Sequence, residues 1–326
     1  MTRRDAKQEG RGEFARIADL AHAFAKASSR GQGRSLELGI GDDAAVIRPK
    51  KRERIVLTVD AQVENVHFRT DWLSYEDIAA RAFLAAASDV YAMGAAPTFA
   101  LSALTVPKGL AEKDFRALTK GTRWAADYVG ATVIGGNLTS GSALSITTTV
   151  LGSAKKVLER KAKVGDHVYL VGRLGLARAG LLAHLAKKTK RVGLAPALDA
   201  FRRPNLHRRP LENDPRGAID VSDGLAQDLG HVVRANDVAV ELDEAALAIH
   251  ARATKLDLAA RALGVSILDL VLTGGEDYAL LVFAKKPPSK KAVLIGHVVR
   301  GAGLYLRTNE KSRRRLSTTG FDHFAH

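Results

Sequence analysis

The sequence predicts an α/β protein of two domains, covering residues 1–153 and 154–326. Strand-length β-branched runs alternate with alanine-rich stretches of helical periodicity along the whole chain, which is the pattern of mixed sheets flanked by helices. The 326 residues exceed the roughly 100–200 expected of one domain. The basic stretch 155–164 ends in Gly165-Asp166, a turn signal after which the same style of pattern starts again.

The elements follow in order. Phe14, Ile17, Ala18, Ala21, Phe24 and Ala25 recur at helical spacing, and the Gly/Ser/Arg stretch 28–34 ends that helix. A loop Gly39-Ile40-Gly41-Asp42-Asp43 comes next. Residues 55–59 form a β-branched strand with Asp60 just past its end. Ser74-Tyr75-Glu76-Asp77 is a capping box that opens an apolar helix running to about Met93, with Asp89 inside it. Strands are expected over 99–106, 131–134 and 144–151, and a helix over 112–129. In the second half a strand is expected over 167–171, a helix over 175–185 and a short buried strand over 218–221. A helix over 223–235 takes Ser222 as its N-cap. Strands over 238–242, 278–283 and 292–298 follow, with helical segments between them. There is no internal repeat and no low-complexity segment, and Gly320-Phe321-Asp322-His323-Phe324 is more aromatic than a frayed terminus.

Composition excludes several classes of function. The absence of cysteine removes disulfides, thiolate zinc sites, iron–sulfur clusters and a cysteine nucleophile, so any metal must be held by oxygen or imidazole. The N-terminal residues are charged, the apolar stretch after them is broken by Asp19, His22 and Lys26, and no run approaches the ~18 apolar residues of a membrane span. A cytoplasmic protein with no membrane partner is expected. The 50 Lys and Arg outnumber the 35 Asp and Glu, for a net charge of +15. The excess is dispersed in short clusters such as Lys50-Lys51-Arg52, Arg208-Arg209 and Arg313-Arg314-Arg315, placed in loops and helix ends without interleaved aromatics. That is the distribution of a solvated surface, so nucleic acid is not the expected partner.

The chemistry lies in where the carboxylates fall. Asp42-Asp43 occupy a glycine loop, Asp60 a strand end, Asp89 an apolar helix, and Asp220 and Asp223 a strand-to-helix turn. Each position taken alone has a local backbone explanation. Together they place several charges where burial is costly unless a cation compensates, and convergent oxygens suit a hard ion such as Mg²⁺. Gly135-Gly136-Asn137 and Gly274-Gly275-Glu276-Asp277 read equally as phosphate-binding loops or plain hairpin turns. His67 stands close enough to Asp60 to share a site, although a histidine between apolar neighbours is more often a structural hydrogen-bonder. No Walker A loop, Gly-x-Gly-x-x-Gly fingerprint, His-Glu-x-x-His pair or Gly-x-Ser-x-Gly elbow occurs.

Taken in order, Gly12-Glu13-Phe14, Gly39 to Asp43, Asp60 through Val66-His67-Phe68, Ser88-Asp89 with Met93-Gly94-Ala95, Gly135-Gly136-Asn137, Asp220-Val221-Ser222-Asp223-Gly224-Leu225, Gly274 to Tyr278 and Asp322-His323-Phe324 resemble the thiamine-monophosphate kinases. These belong with aminoimidazole ribonucleotide synthetase and selenophosphate synthetase, and the lack of a reactive cysteine favours the thiamine branch. The resemblance implies an aminoimidazole ribonucleotide synthetase-like fold of two α/β domains, with ATP between them and a homodimer formed through the N-terminal sheet. It implies transfer of the ATP γ-phosphate to thiamine monophosphate with several Mg²⁺ ions. Position by position, it makes Asp43, Thr58, Val59, Asp60, Asp89, Asp220 and Asp223 metal ligands, with Asp43, Asp89 and Asp220 central to catalysis. Gly136, Asn137, Arg160 and Ser222 match nucleotide contacts, while His67, Glu276 and Phe321 match the substrate side.

The chain departs from the family pattern at Val59-Asp60-Ala61, where Thr-Asp-Thr is usual, and at Ala86-Ala87-Ser88-Asp89, where Asn-x-Ser-Asp is usual. Gly135 to Ser140 stands for Gly-Gly-Asp-Thr-Thr-Arg, and Gly175-Leu176-Ala177 for Gly-Asp-Ser. Losing a carboxylate at 137 and a guanidinium at 140 removes one metal oxygen and one bidentate phosphate partner. The alternatives are therefore a divergent member acting on another phosphorylated small molecule and a catalytically weak ligand-binding paralogue.

Overall fold

The computed structural model describes residues 36–38, 46–47, 49, 51–308 and 312–318. The expected helix over 14–25, the Gly39 to Asp43 loop with its Asp43, and the terminal Phe321 lie outside these residues. The short strands β1 (Leu36–Leu38) and β2 (Val46–Ile47) pair antiparallel on either side of that loop. The chain divides into two compact units. One takes the described residues up to Ala87 together with Ala96–Lys155, and the other takes Ser88–Ala95 with those from Lys156 on.

The first unit is built on a four-stranded sheet in the order β3-β6-β4-β5, from β3 (Arg54–Val63), β4 (Ala96–Pro107), β5 (Thr132–Gly141) and β6 (Ser145–Ala154). Helix α1 (Tyr75–Ala92) precedes β4, and α2 (Glu112–Val129) is the crossover that lets β4 and β5 pair in parallel. Ser74 begins α1 as the sequence predicts: its Oγ accepts from the Asp77 amide at 3.1 Å. From Ile78 to Ser88 every residue of α1 is buried, the signature of a helix enclosed on all sides. Gly121 of α2 permits close helix packing, because a Cβ there would stand 2.0 Å from the Glu76 carbonyl oxygen. On the sheet, Ile146, Thr148 and Val150 are buried, whereas Ile55, Leu57 and Val59 are 47%, 64% and 63% exposed on the opposite face.

Two expectations are corrected here. Asp60 lies inside β3, paired with Thr148, and not past the strand's end, because the β3–β6 ladder continues to Val63 and Ser145. Gly135-Gly136-Asn137 is no turn. It lies within the edge strand β5, which continues pairing with β4 past an irregularity at Ala100/Leu101. Gly136 is needed for space, since a Cβ would fall 1.9 Å from the Ser102 carbonyl oxygen. Gly136→Ala is accordingly expected to cost about 2–3 kcal/mol by forcing β4 and β5 apart, measurable by urea unfolding.

The second unit holds a seven-stranded sheet in the order β13-β12-β9-β11-β7-β10-β8. Its strands are β7 (His167–Val171), β8 (Gly217–Asp220), β9 (Ala239–Asp243), β10 (Leu280–Ala284), β11 (Val293–Val299), β12 (Gly303–Arg307) and β13 (Arg313–Leu316). All neighbours are antiparallel except β9 and β12. The helices are α3 (Leu176–Leu185), α4 (Ala195–Arg202), α5 (Leu225–Asn236), α6 (Glu244–Ala253), α7 (Leu256–Leu263) and α8 (Ile267–Thr273). Their apolar side chains, among them Leu176, Leu229, Leu247, Leu256 and Leu270, form one core with Val168, Leu170, Val240 and Leu242 of the sheet. The other sheet face packs Tyr169, Val171, Leu280 and Val282 against Ala92 and Leu158. The basic run Arg313-Arg314-Arg315, expected in a loop or helix end, is part of the edge strand β13. Charge suits an edge that must not recruit another strand. Arg313 stacks 3.5 Å over the Tyr305 ring and bonds Glu241 at 3.2 Å.

Candidate active site

Strand β8 is the carboxylate's delivery arm. It pairs through Asp220 with Leu280 and ends there, leaving Asp220 4% exposed at the sheet edge. The last turn of α1 and the residues after it belong to this same unit. Ser88 donates its hydroxyl to Asp220 Oδ2 at 2.6 Å. Asp89 is close enough that its charge raises the proton affinity of Asp220, whose carboxyl is pushed up to about 6, first by burial and then by Asp89. The Ser88 hydroxyl and the Arg160 guanidinium act in the opposite direction. Asp89, Asp220 and Arg160, three residues singled out from the sequence, are thus brought together.

Ser222, Asp223 and Gly224 form the turn between β8 and α5. Ser222 is not the N-cap of that helix. The capping position is Gly224, with φ 118°, which has no side chain of its own to cap the helix. Asp228 of the first helical turn reaches back instead, and its Oδ2 accepts from the amides of Ser222, Asp223 and Gly224 at 3.1, 3.2 and 3.1 Å. Three amides converge on one oxygen because Gly224 adopts a conformation that other residues avoid. Burial, then the charges of Asp220 and Asp223, push the Asp228 carboxyl up to about 8. Asp223, Asp228 and His231 each present a possible ligand atom within 4.8 Å of the others. Neither Asp228 nor His231 was singled out from the sequence. Their spacing after Asp223, five and eight residues on, is the available signal, and it is that of an ordinary helix face.

The second glycine motif is fastened to this turn. Glu276 N–H donates to the Ser222 carbonyl at 2.7 Å and Tyr278 N–H to the Val221 carbonyl at 2.9 Å. Gly274 N–H is committed to Leu270. A Cβ on Gly275 would stand 2.5 Å from the Ser222 oxygen. The amides of Gly274, Glu276 and Tyr278 are therefore committed to the protein, and the segment is not a hairpin. It links α8 to β10. The stitching forces left-handed backbone at Glu276 and Tyr278, with φ 61° and 50°. Asp277 between them is buried and accepts from the amides of Gly175 and Ala177 at the start of α3.

In the first unit, Thr58 and Asp60 lie on the more covered face of β3, and Gly136 and Asn137 are exposed on the edge strand β5. His67 Nδ1 accepts from the Val63 amide at 3.1 Å, so its ring is engaged in the turn that follows β3.

The mixed-sheet architecture is that of the AIR synthase-related proteins. The family description "AIR synthase related protein, N-terminal domain" fits residues 41–154. Structures of the hydrogenase maturation protein HypE share the fold, one with a TM-score of 0.70 at 17% identity over 96% of both chains. Within that class the chain belongs to the thiamine-monophosphate kinase family. It is 33% identical over 310 residues to the thiamine-monophosphate kinase of Mycobacterium tuberculosis H37Rv, covering 92% of this chain and 89% of that protein. It is 34% identical over 263 residues to that of Bacillus subtilis, covering 76% and 77%. A structure named AaThiL, complexed with AMPPCP and TMP, superposes with a TM-score of 0.75 at 26% identity over 96% of this chain and 97% of that one.

Proposed function

We propose that this chain is an ATP-dependent thiamine-monophosphate kinase that forms thiamine diphosphate and ADP. The observation that carries this is the match to enzymes of that name along nearly the whole chain. The Ser88, Asp89 and Asp220 cluster supplies matching chemistry, because it sets the buried Asp220 beside a second carboxylate at a strand tip, where a cation would be favoured.

The donor set suits Mg²⁺: it is oxygen-rich, has no thiolate, and contains carboxylates whose charges raise the proton affinity of Asp220 and Asp228. Asp89, Asp220 and Asp223 are the ligands assigned in the second unit. Thr58, the Val59 carbonyl and Asp60 offer a separate oxygen set in the first, and Asp43, outside the described residues, is assigned by family position. When bound, Mg²⁺ neutralises charge on the phosphates.

The remaining roles fall to the chain itself. Arg160, Ser222, Gly136 and Asn137 are assigned to the nucleotide by family position, and His67, Glu276 and Phe321 to the acceptor. A terminal phosphate oxygen of thiamine monophosphate bonds to the γ-phosphorus as the bond to the β–γ bridging oxygen breaks, and ADP leaves. The acceptor's second proton dissociates near pH ~6, so at neutral pH its oxygen is already a nucleophile and no side chain has to serve as base. Asp89 and Asp220 therefore act by positioning and charge, as phosphoryl transfer demands.

The exposed Ile55, Leu57 and Val59 face of the first unit supports the homodimer, since an apolar sheet face suits a second copy of the same surface. Among the described residues no helix is long and apolar enough to cross a membrane. Both substrates are charged metabolites, and we assign the enzyme to the cytoplasm.

The test is ADP release by purified protein with ATP and Mg²⁺ in the presence of thiamine monophosphate, thiamine or no acceptor. Turnover confined to thiamine monophosphate is expected. ADP formation only with a different acceptor overturns the substrate assignment.

A further inference from the structure

Arg160 is a long, exposed side chain on a segment with almost no regular structure. Between β6 and β7 the backbone forms a single isolated bridge, Glu159 with Gly217. Its charge nevertheless reaches Asp220 and His231, where it favours the ionised carboxylate and the neutral imidazole. A guanidinium can hold a defined position from such a segment only if the main chain beneath it is fixed.

The fixing group is Asn236, the last residue of α5. Its Nδ2 donates to the Arg160 carbonyl at 2.7 Å, and its Oδ1 accepts from the Ala162 amide at 3.1 Å. One side-chain amide thus satisfies the main chain on both sides of Lys161. Nδ2 also donates to the Val232 carbonyl at 2.8 Å, which ties the amide to its own helix. The other flank is held by strand β8: the Ala218 amide donates to the Glu159 carbonyl at 3.1 Å. A Cβ on Gly217 would stand 2.4 Å from the Glu159 oxygen and 2.3 Å from the Lys161 oxygen. The helix that starts at the aspartate turn and the strand that ends at Asp220 therefore both grip the segment carrying Arg160.

We propose that Asn236 is a positioning residue that sets the placement of Arg160 toward the nucleotide phosphates. The proposal rests on the assignment of Arg160 as a phosphate contact. It requires an amide in particular, because the site needs a donor and an acceptor on one planar group. An aspartate keeps the acceptor for Ala162 but turns a second oxygen on the Arg160 carbonyl.

The test is steady-state kinetics of the full chain with ATP, Mg²⁺ and thiamine monophosphate, on Arg160→Ala, Asn236→Ala, Asn236→Asp and the Arg160→Ala/Asn236→Ala double variant. Arg160→Ala is expected to raise KM for ATP by about 10–100-fold, the loss of a charge-assisted hydrogen bond. Asn236→Ala and Asn236→Asp are each expected to raise it about fivefold, the equivalent of one ordinary hydrogen bond. KM for thiamine monophosphate should stay unchanged. In the Arg160→Ala background the Asn236→Ala effect on KM for ATP should vanish, which a generally loosened fold does not produce. If Arg160→Ala leaves KM for ATP unchanged, the assignment of Arg160 falls and takes the proposal with it. If Arg160→Ala is impaired while both Asn236 variants are silent, or the two effects multiply, the proposal alone falls. Asn236→Asp, nearly isosteric, decides the matter should Asn236→Ala not fold.

Discussion

Asp220→Asn is expected to lower kcat by about 10³-fold while making the metal-free protein more stable at pH 7.5. The opposed signs follow from the site. Asp220 is buried beside Asp89, with its carboxyl raised from an ordinary 3.8 to about 6. The folded protein therefore holds this proton more tightly than the unfolded chain does. The stability gained from that preference is complete below about pH 4 and is lost as pH rises through about 6. Asparagine does not titrate and still accepts the Ser88 hydroxyl, so the variant escapes the decline. A rise in melting temperature of about 5 °C at pH 7.5 is expected, with little difference between variant and wild type at pH 4. Thermal unfolding without metal, set beside ADP release with Mg²⁺, measures both halves. Wild-type turnover in the variant would remove Asp220 from the chemistry, and a destabilised variant would remove the argument from unbalanced charge.

Asp228→Ala is expected to cost about 3 kcal/mol or more, because three amides of the turn lose their shared acceptor and buried N–H groups without partners cost about 1–3 kcal/mol each. Water can reach some of the vacated space, which keeps the loss below the sum. Asp228→Asn retains a carbonyl oxygen for the same amides and should lose much less. Urea midpoints report the difference, and the slope should be unchanged if the native fold persists. ADP release should fall in Asp228→Ala, since Ser222 and Asp223 leave their places, with partial recovery in Asp228→Asn. Equal behaviour of the two variants would show that the turn is held by something other than that oxygen.

The strongly patterned elements were legible in the sequence. The capping box at Ser74, the helix Glu112–Val129 and the strands Ser145–Ala154 and His167–Val171 announce themselves through caps, helical spacing or alternation. What misled was local chemistry with two readings. Paired glycines usually mark a turn, yet Gly136 serves a neighbouring carbonyl oxygen inside a strand. A serine before a helix usually caps it, but here the capping oxygen comes from Asp228, four residues past Gly224, a contact that no residue-type preference reveals. The run Arg313-Arg314-Arg315 reads as surface charge and becomes an edge strand once Tyr305 and Glu241 are beside it. Of the site, the pairing of Asp89 with Asp220 was foreshadowed by two carboxylates in unfavourable places. The clasp of Asn236 on Arg160 spans 76 residues and has no local trace.

The two turns at the head of the second unit's sheet are joined through main-chain atoms, with Ser222 and Val221 oxygens meeting the amides of Glu276 and Tyr278. Main-chain bonds are indifferent to side-chain identity. The shape of the site is thus inherited separately from its specificity: side chains at 222, 223 and 276 can be exchanged over generations without redrawing the platform they stand on. The arrangement also marks position 276, the one of the three assigned to the acceptor, as the place to begin when recruiting this scaffold to a new phosphate acceptor.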